Sequence, residues 1–183
     1  MPTTPHDVLA FWLEAGYERW FDRDDSFDAR CHEEWLATHH RAARRELEDW
    51  MDTAPGALAL SILLDQIPRN VFRGSGHAYA TDPLARHYAA RAIERGFDHQ
   101  VDPVLRVFFY MPFEHSEAIA DQERSVKLAS SIGGESGNNY LDYARRHRDV
   151  IARFGRFPHR NRELGRINTA EEQAYLDAGG GFG

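Results

Sequence analysis

Cysteine, lysine and long apolar runs are almost absent from this chain of 183 residues. The single cysteine, Cys31, rules out an internal disulfide and fits a reducing compartment, so we expect a cytoplasmic protein. No apolar run approaches the roughly 20 residues of a membrane span, and no basic segment leads into an apolar one at the N-terminus. We therefore expect neither a membrane partner nor export.

The formal net charge of -7 argues against nucleic acid as a partner. The charge is nevertheless uneven, because residues 14–52 are rich in carboxylates whereas residues 145–166 hold eight arginines against Asp149 and Glu163. Two interpretations stay open: packed helices whose charges neutralise each other, or an anion site near the arginines.

Strand-like alternation is also missing, and helical periodicity runs through the chain. Helix starts are marked at Thr4-Pro5, at Thr53-Ala54-Pro55, at Thr81-Asp82-Pro83 and at a capping box that begins at Thr169. The pattern predicts helices over about 5–16, 27–51, 54–66, 82–96, 104–110, 113–132 and 139–154, and a last one after 169. With 42% hydrophobic residues, this predicts one all-α domain of about eight antiparallel helices over 1–178 and a Gly-rich disordered tail at 179–183.

Polar residues occupy the inward face of the helix predicted over 113–132. At 100° per residue, Asp121, Gln122 and Ser125 fall on the side of Ala118 and Ala129. Each buried polar group that lacks a partner costs about 1–3 kcal/mol. These side chains therefore need partners from another helix or from a ligand.

His147 lies at the centre of the inward sector of the helix predicted over 139–154, which also holds Tyr143 and Phe154. It is either a hydrogen-bonded core histidine or an acid/base group that faces a pocket. Because Tyr143 and Phe154 lie in the same sector, we interpret them as core residues rather than as stacking platforms for RNA.

Two segments at helix ends are rich in hydrogen-bond donors. Arg156, His159, Arg160 and Asn161 surround Pro158, and Arg69 and Asn70 follow the central helix. Such groups form an anion cradle or cap the C-termini of neighbouring helices, and the sequence leaves both alternatives open.

Motifs for metal binding and for nucleophilic catalysis are missing. There is no HExxH, Glu-x-x-His or CxxC spacing and no nucleophile elbow around Ser116 or Ser125, so we assign no metal ligands, and the sequence leaves the cofactor unknown. General acid/base chemistry by His115 or His147 with Glu114 or Glu117 is chemically possible.

Four segments together resemble a bacterial family of unknown function, DUF924. They are LDQIPRNVFRG at 64–74, DPLAR at 82–86, FFYMPFEHSE at 108–117 and RFGRFPHRN at 153–161. The resemblance extends from the first helix to the capping box at Thr169, and it implies an all-helical, TPR-like right-handed array. It implies no activity.

Our leading hypothesis is a polar cleft for a small phosphate- or carboxylate-bearing ligand, with possible hydrolytic activity. Its ligand-binding residues would be Arg69, Asn70, Gln122, Ser125, Arg156, His159, Arg160 and Asn161, and its acid/base residues Glu114, His115, Glu117 and His147. Two rivals are a TPR-like module that holds a peptide segment in its groove and a purely structural polar network.

Overall fold

The computed structural model describes residues 3–182, apart from the side chain of Glu135. Helices and turns account for these residues, and no strand occurs among them, which confirms the all-α class. The chain divides into two compact units: an N-terminal unit of Met1–Arg73 with His77–Pro112, and a C-terminal unit of Gly74–Gly76 with Phe113–Gly183. A single domain over 1–178 and a TPR-like array stay predictions.

The α-helices follow one another with short 3-10 turns between several of them. They are α1 (Pro5–Phe21), α2 (Asp25–Ala43), α3 (Ala54–Ser61), α4 (Ile67–Val71), α5 (Asp82–Glu94), α6 (Met111–Glu114), α7 (Ile119–Ala129), α8 (Gly134–Phe154) and α9 (Ala170–Asp177).

The first helix begins where its capping residues predict. The Thr4 side chain accepts from the Asp7 backbone N–H, and the Asp7 carboxylate accepts from the Thr4 N–H. Gly16 interrupts the helix with φ 74° and ψ 172°, a conformation that essentially only glycine adopts, and helical geometry resumes up to Phe21. The predicted stop at Gly16 is therefore a kink.

The predicted long helix over 27–51 is wrong at its C-terminal end. α2 ends at Ala43, Arg45 has a positive φ of 62°, and a 3-10 turn covers Glu48–Asp52. Hydrophobic periodicity alone does not reveal such a turn, because Leu47, Trp50 and Met51 are buried in either geometry. Cys31 lies on the buried side of α2, and burial raises the pKa of its thiol to about 12.

The central helix of the N-terminal unit is formed by α3, a π-helical turn at Ile62–Gln66 and α4. Its residues from Ala57 to Leu64 are all at most 1% exposed, as an apolar sequence on every face predicts. α3 packs against α1 and α5, so this rod lies in the core of its unit.

Side chains from neighbouring elements support the rod where it continues through Pro68. Proline has no N–H, so it donates neither to the Leu64 oxygen, four residues earlier, nor to the Leu63 oxygen, which is its partner in the π-helical spacing seen between Ile67 and Ile62. The Thr81 hydroxyl donates to the Leu64 oxygen at 2.6 Å, and Nδ1 of His39 lies 2.8 Å from the Leu63 oxygen. Side chains from outside the rod thus replace its missing hydrogen bonds.

Two other predicted helices differ from the structure. In place of the helix over 104–110 there is a 3-10 turn at Arg106–Phe109, and the helix over 113–132 is divided into α6 and α7 by a turn. In this turn the Ser116 hydroxyl donates to Asp121 at 2.6 Å and accepts from the Ala118 N–H at 3.2 Å. Serine side chains compete with the helical hydrogen bond in this way.

The C-terminal unit is built on α7 packed against α8. α8 begins at Gly134 instead of residue 139, so its first turn includes residues that the sequence placed between two helices. Tyr143 on this helix is 50% exposed, which corrects its assignment to the core, and the Arg146 guanidinium lies over its ring. A cluster around Val150, Ile151 and Phe157 forms the core.

After α9 the chain turns back toward this core. Thr169 and Glu172 form the predicted capping box. The tail is described up to Phe182, whose ring packs against the cluster, whereas Gly183 lies outside the described residues. The predicted disorder of 179–183 as a whole stays a prediction. Among the helices in the described part of the chain, none is both long and apolar enough to cross a membrane.

Candidate functional site

The turn between α6 and α7 is held by Gln122, one of the inward-facing polar residues of α7. Its amide nitrogen donates to the backbone oxygens of Glu114 and Ser116. Gln122 is 0% exposed, so its predicted inward orientation is confirmed. These bonds satisfy carbonyls that a continuous helix would have paired internally, and they place Glu114 and His115 at the edge of the α7–α8 layer.

His147 is fixed by a hydrogen bond at one ring nitrogen. Its Nδ1 lies 2.9 Å from the Tyr143 carbonyl oxygen and 3.2 Å from Oε1 of Glu114. Because a carbonyl oxygen only accepts, Nδ1 carries the proton of the neutral ring, and Nε2 presents a lone pair. Nε2 makes no hydrogen bond to any residue that the structure describes.

The neutral form of His147 is strongly favoured. Burial lowers its pKa well below the ordinary value, and the nearby charges of His115, Arg160 and His159 lower the pKa further. The hydrogen bond to the Tyr143 carbonyl raises the pKa, but by less than burial and the nearby charges lower it. His147 is therefore a neutral imidazole at pH 7 in a locally positive environment.

Aromatic rings surround His147. The Phe182 ring stacks on it with centroids 3.6 Å apart and planes 13° from parallel, and the Phe157 ring approaches edge-on at 5.6 Å. The ring of His115 lies 6.2 Å away. The imidazole is 6% exposed as a result.

Arg160 and His159 reach the same region from the 3-10 turn at Pro158–Arg160. Nη1 of Arg160 donates to the His115 carbonyl oxygen at 3.0 Å, and its guanidinium lies over the Phe157 ring at 4.4 Å. The His159 ring is 5.5 Å from Phe157. The predicted residues Glu114, His115, His147, His159 and Arg160 thus come together in the C-terminal unit, and we call them the His147 cluster.

Glu117 has a structural role in this geometry. Its carboxylate accepts from the Phe157 backbone N–H at 2.8 Å and from both terminal nitrogens of Arg166, also at 2.8 Å. Burial tends to raise the pKa of Glu117, but these hydrogen bonds outweigh it and the pKa is lowered. A carboxylate held ionised by two such partners is a poor proton acceptor.

Arg156 and Asn161 are bonded to the start of α9. Arg156 contacts Glu172 through Nε at 2.6 Å and Nη2 at 2.8 Å, and Asn161 donates to Asn168 at 2.8 Å. The Arg156 hydrogen bond is the largest cause that lowers the pKa of Glu172 to about 2. Arg156 therefore bonds to a carboxylate in the first turn of α9, and not to carbonyls at the C-terminus of a helix as the capping alternative expected. Sequence reasoning missed Glu172 as its partner, although the capping box was a signal.

Several buried polar atoms of this unit have no hydrogen-bond partner among the described residues. They are Oε1 of Gln122, Oγ of Ser125 and Oδ1 of Asn161, in side chains that are at most 1% exposed. Such atoms are costly unless water or a ligand reaches them.

The other predicted ligand-binding residues, Arg69 and Asn70, belong to the N-terminal unit. Arg69 donates to both oxygens of Asp82 at 2.9 and 3.0 Å, and Asn70 donates to the Gln66 carbonyl at 3.0 Å. Burial would lower the pKa of Arg69, but Asp65 and Asp82 reverse this effect and raise it. The guanidinium is thus neutralised by carboxylates of its own unit.

The C-terminal arginines are also largely engaged within their unit. Arg153 pairs with Glu171, Arg156 with Glu172 and Arg166 with Glu117. Among the described residues, no group of three or more His, Cys, Asp or Glu side chains is arranged to hold a metal ion.

Comparison with known proteins places these observations in a family. The model of a family described as "Bacterial protein of unknown function (DUF924)" matches residues 8–180. A solved structure of a protein of unknown function, ATU0120 from Agrobacterium tumefaciens, is similar at 51% sequence identity with a TM-score of 0.90, and the match covers 95% of this chain and 97% of that one. No curated protein matches the chain.

Proposed function

The chain belongs to the bacterial family of unknown function DUF924, and from this premise we propose that its C-terminal unit binds a small carboxylate- or phosphate-bearing molecule at the His147 cluster. In this proposal His147 acts on the bound molecule as a general base. The observation that carries the proposal is a buried, neutral histidine with one nitrogen fixed and the other without a hydrogen bond among the described residues.

The preference for an anion follows from the surrounding charges. Arg160, His115 and His159 each lower the pKa of His147, so these side chains contribute positive potential at the ring, and the carboxyl group of Glu114 lies beside Nδ1. An anion placed there is attracted by these groups, and it also makes protonation of His147 easier. Arg69 and Arg156 do not enter the proposal, because their guanidinium groups are bound to Asp82 and Glu172.

The general base role follows from the hydrogen bonds of the ring. The Tyr143 carbonyl accepts from Nδ1–H and so fixes the tautomer with its lone pair on Nε2, and Oε1 of Glu114 lies 3.2 Å from the same nitrogen. When Nε2 takes a proton from water or from a substrate hydroxyl, the Glu114 carboxylate stabilises the imidazolium that forms. This arrangement suits hydrolysis of an ester or a phosphoester.

A TPR-like module for a peptide segment is the second candidate, and one observation supports it. Leu13, Tyr17 and Phe21 on α1 are between 41% and 45% exposed, and Tyr17 and Phe21 are four residues apart in the helical segment that follows the kink at Gly16. Exposed apolar side chains of this kind mark docking sites for peptides. We further propose a cytoplasmic location, for which the buried, free thiol of Cys31 is the support.

The test of anion binding is a titration of the purified protein with inorganic phosphate and with acetate, followed by the ¹⁵N chemical shifts of His147. Binding should raise the pKa of His147 and should protonate Nε2 in the complex. The Arg160→Gln variant should bind each anion at least ~10-fold more weakly, which is about 1.4 kcal/mol. An unchanged His147 spectrum at saturating anion would contradict the proposal.

The test of catalysis uses p-nitrophenyl acetate and p-nitrophenyl phosphate as probes. We expect His147→Gln to lower turnover by about 10²- to 10⁴-fold, the usual effect of losing a general base. The matched control is His32→Gln, at an exposed histidine of α2, which should leave turnover unchanged. If neither probe is turned over by a protein that binds anions, then the site is a binding site without catalysis.

A further inference from the structure

The segment that leads to Phe182 occupies a slot lined by rings beside the His147 cluster. The Phe182 ring lies parallel to the His147 ring at 3.6 Å and meets the rings of Phe157 and His159 edge-on, at 6.2 and 5.8 Å. One ring stacked on a face and two rings at its edges form a specific seat for a planar group.

Gly181 allows the path that leads to this slot. It has a φ of 136°, which side chains with a Cβ rarely adopt. A Cβ atom added there would also lie 3.2 Å from Cβ of His159. A glycine at position 181 therefore helps to seat Phe182.

Ring contacts alone hold the end of the tail. The last backbone hydrogen bond joins the Gly180 N–H to the Tyr175 carbonyl at 2.9 Å, and Gly181 and Phe182 make none to other described residues. Phe182 remains partly exposed. Because a glycine-rich chain regains much conformational freedom on release, a competing ring can displace Phe182 readily.

We propose that the slot beside His147 is the seat of an aromatic ring of the ligand, and that Phe182 occupies it when no ligand is bound. The ligand class is then a small planar aromatic acid, in which a carboxylate or phosphate is attached to the ring. This inference rests on the proposed function and deepens it. The aromatic ring replaces Phe182 against His147, and the acidic group lies toward Arg160 and His115.

The geometry distinguishes this class from other anions. A neutral imidazole and a benzene ring stack face to face over their whole area, whereas a puckered saturated ring cannot approach a flat face as closely. The nearby guanidinium of Arg160, which already lies over Phe157, supplies the positive charge for the acidic group. Phe182 itself carries no charge at its ring, so it fills only the aromatic part of the site.

The experiment is a calorimetric titration of the full chain with benzoate, cyclohexanecarboxylate, acetate and inorganic phosphate at pH 7. Benzoate should bind at least ~10-fold more tightly than cyclohexanecarboxylate, a difference that area alone does not produce. In Phe182→Ala the slot is empty, so benzoate no longer competes with the Phe182 ring for it. The apparent affinity for benzoate should therefore rise by about 10-fold.

A second variant tests the tail without changing the slot. Gly181→Ala would place a Cβ at a φ of 136° and 3.2 Å from Cβ of His159, so it should unseat Phe182 and raise benzoate affinity to the level of Phe182→Ala. Both variants should also shift the His147 ring protons downfield, since the ring current of Phe182 is lost. Circular dichroism verifies that each variant keeps its helices.

The outcomes separate this inference from the proposed function. Equal affinities for benzoate and cyclohexanecarboxylate, or no gain in either variant, would overturn the aromatic slot. Phosphate and acetate binding would then still support the anion site. If none of the four anions binds to the full chain or to the variants, the anion site and the aromatic slot are both wrong.

Discussion

His147 is a buried polar residue of the C-terminal unit that makes both polar and packing contacts. The side chain is 6% exposed, is hydrogen-bonded to the Tyr143 carbonyl through Nδ1, lies 3.2 Å from Glu114 and stacks on Phe182. Replacement by alanine removes these interactions and leaves Glu114 without this partner. Buried hydrogen-bonded residues of this kind typically contribute about 1–3 kcal/mol.

We therefore predict that His147→Ala lowers the free energy of unfolding by about 2 kcal/mol, measured by urea denaturation in the absence of ligand. The control His32→Ala, at an exposed position on α2, should change it by less than about 0.5 kcal/mol. Equal effects of the two substitutions would show that the contacts of His147 do not stabilise the fold.

Glu172 makes the stability of the C-terminal unit depend on pH. The Arg156 hydrogen bond lowers the pKa of the carboxyl to about 2 from an ordinary value of 4.5. Since the folded state holds its proton less tightly than the unfolded state, the contribution of Glu172 is fully present above pH 4.5. It is lost as the pH falls from 4.5 toward 2.

We predict that Glu172→Gln flattens the stability curve in this acid range relative to the wild type, as measured by thermal unfolding at successive pH values. Arg156→Gln should flatten it as well, because it removes the same hydrogen bond. Gln173→Ala, an exposed neighbour on α9, serves as the control and should keep the wild-type slope. A wild-type slope in both Glu172→Gln and Arg156→Gln would contradict this account.

At the scale of elements, the central rod of the N-terminal unit shows how a proline is accommodated within a helix. Pro68 leaves the Leu64 carbonyl without a helical donor, and Thr81 donates to it from the start of α5. The hydroxyl therefore couples two elements that the sequence alone presents as separate helices. Its role depends on the missing N–H of Pro68.

A double-mutant cycle measures this coupling. We predict that Thr81→Val costs about 1–2 kcal/mol of unfolding free energy, because a buried carbonyl loses its donor. In the Pro68→Ala background the same substitution should cost less, since the introduced alanine supplies a backbone N–H to the Leu64 oxygen. Fully additive effects in chemical denaturation would indicate that Thr81 and Pro68 do not share the Leu64 carbonyl.

At the scale of the whole molecule, the quantity to measure is the number of parts of the chain that unfold as cooperative units. The structure divides the chain into two compact units, whereas the length of 183 residues suits one core. We predict a single calorimetric transition whose van't Hoff and calorimetric enthalpies agree. Two resolved transitions, or a ratio of calorimetric to van't Hoff enthalpy of about 2, would indicate two independently folding units instead of a single domain.

The candidate site was partly predictable because helical periodicity carries information about burial. The inward positions of Gln122, Ser125 and His147 follow from 100° per residue, and all three are buried in the structure. Tyr143 lies in the same sector of its helix as His147 but is half exposed. Periodicity gives the direction in which a side chain leaves its helix, and it does not give the position of the neighbouring elements. The pairing of Arg156 with Glu172 was not predictable either, since 16 residues and a turn separate them.

The sequence by itself determined the all-helical class, the helix starts at Thr4, Thr53 and Thr169, and the family. These depend on local capping, on proline and on periodicity, which act within a few residues. Only the tertiary structure decided which arginines are neutralised, which nitrogen of His147 is fixed and where Phe182 lies. Such features are set by contacts between residues far apart in the chain, and local sequence does not specify a distant partner.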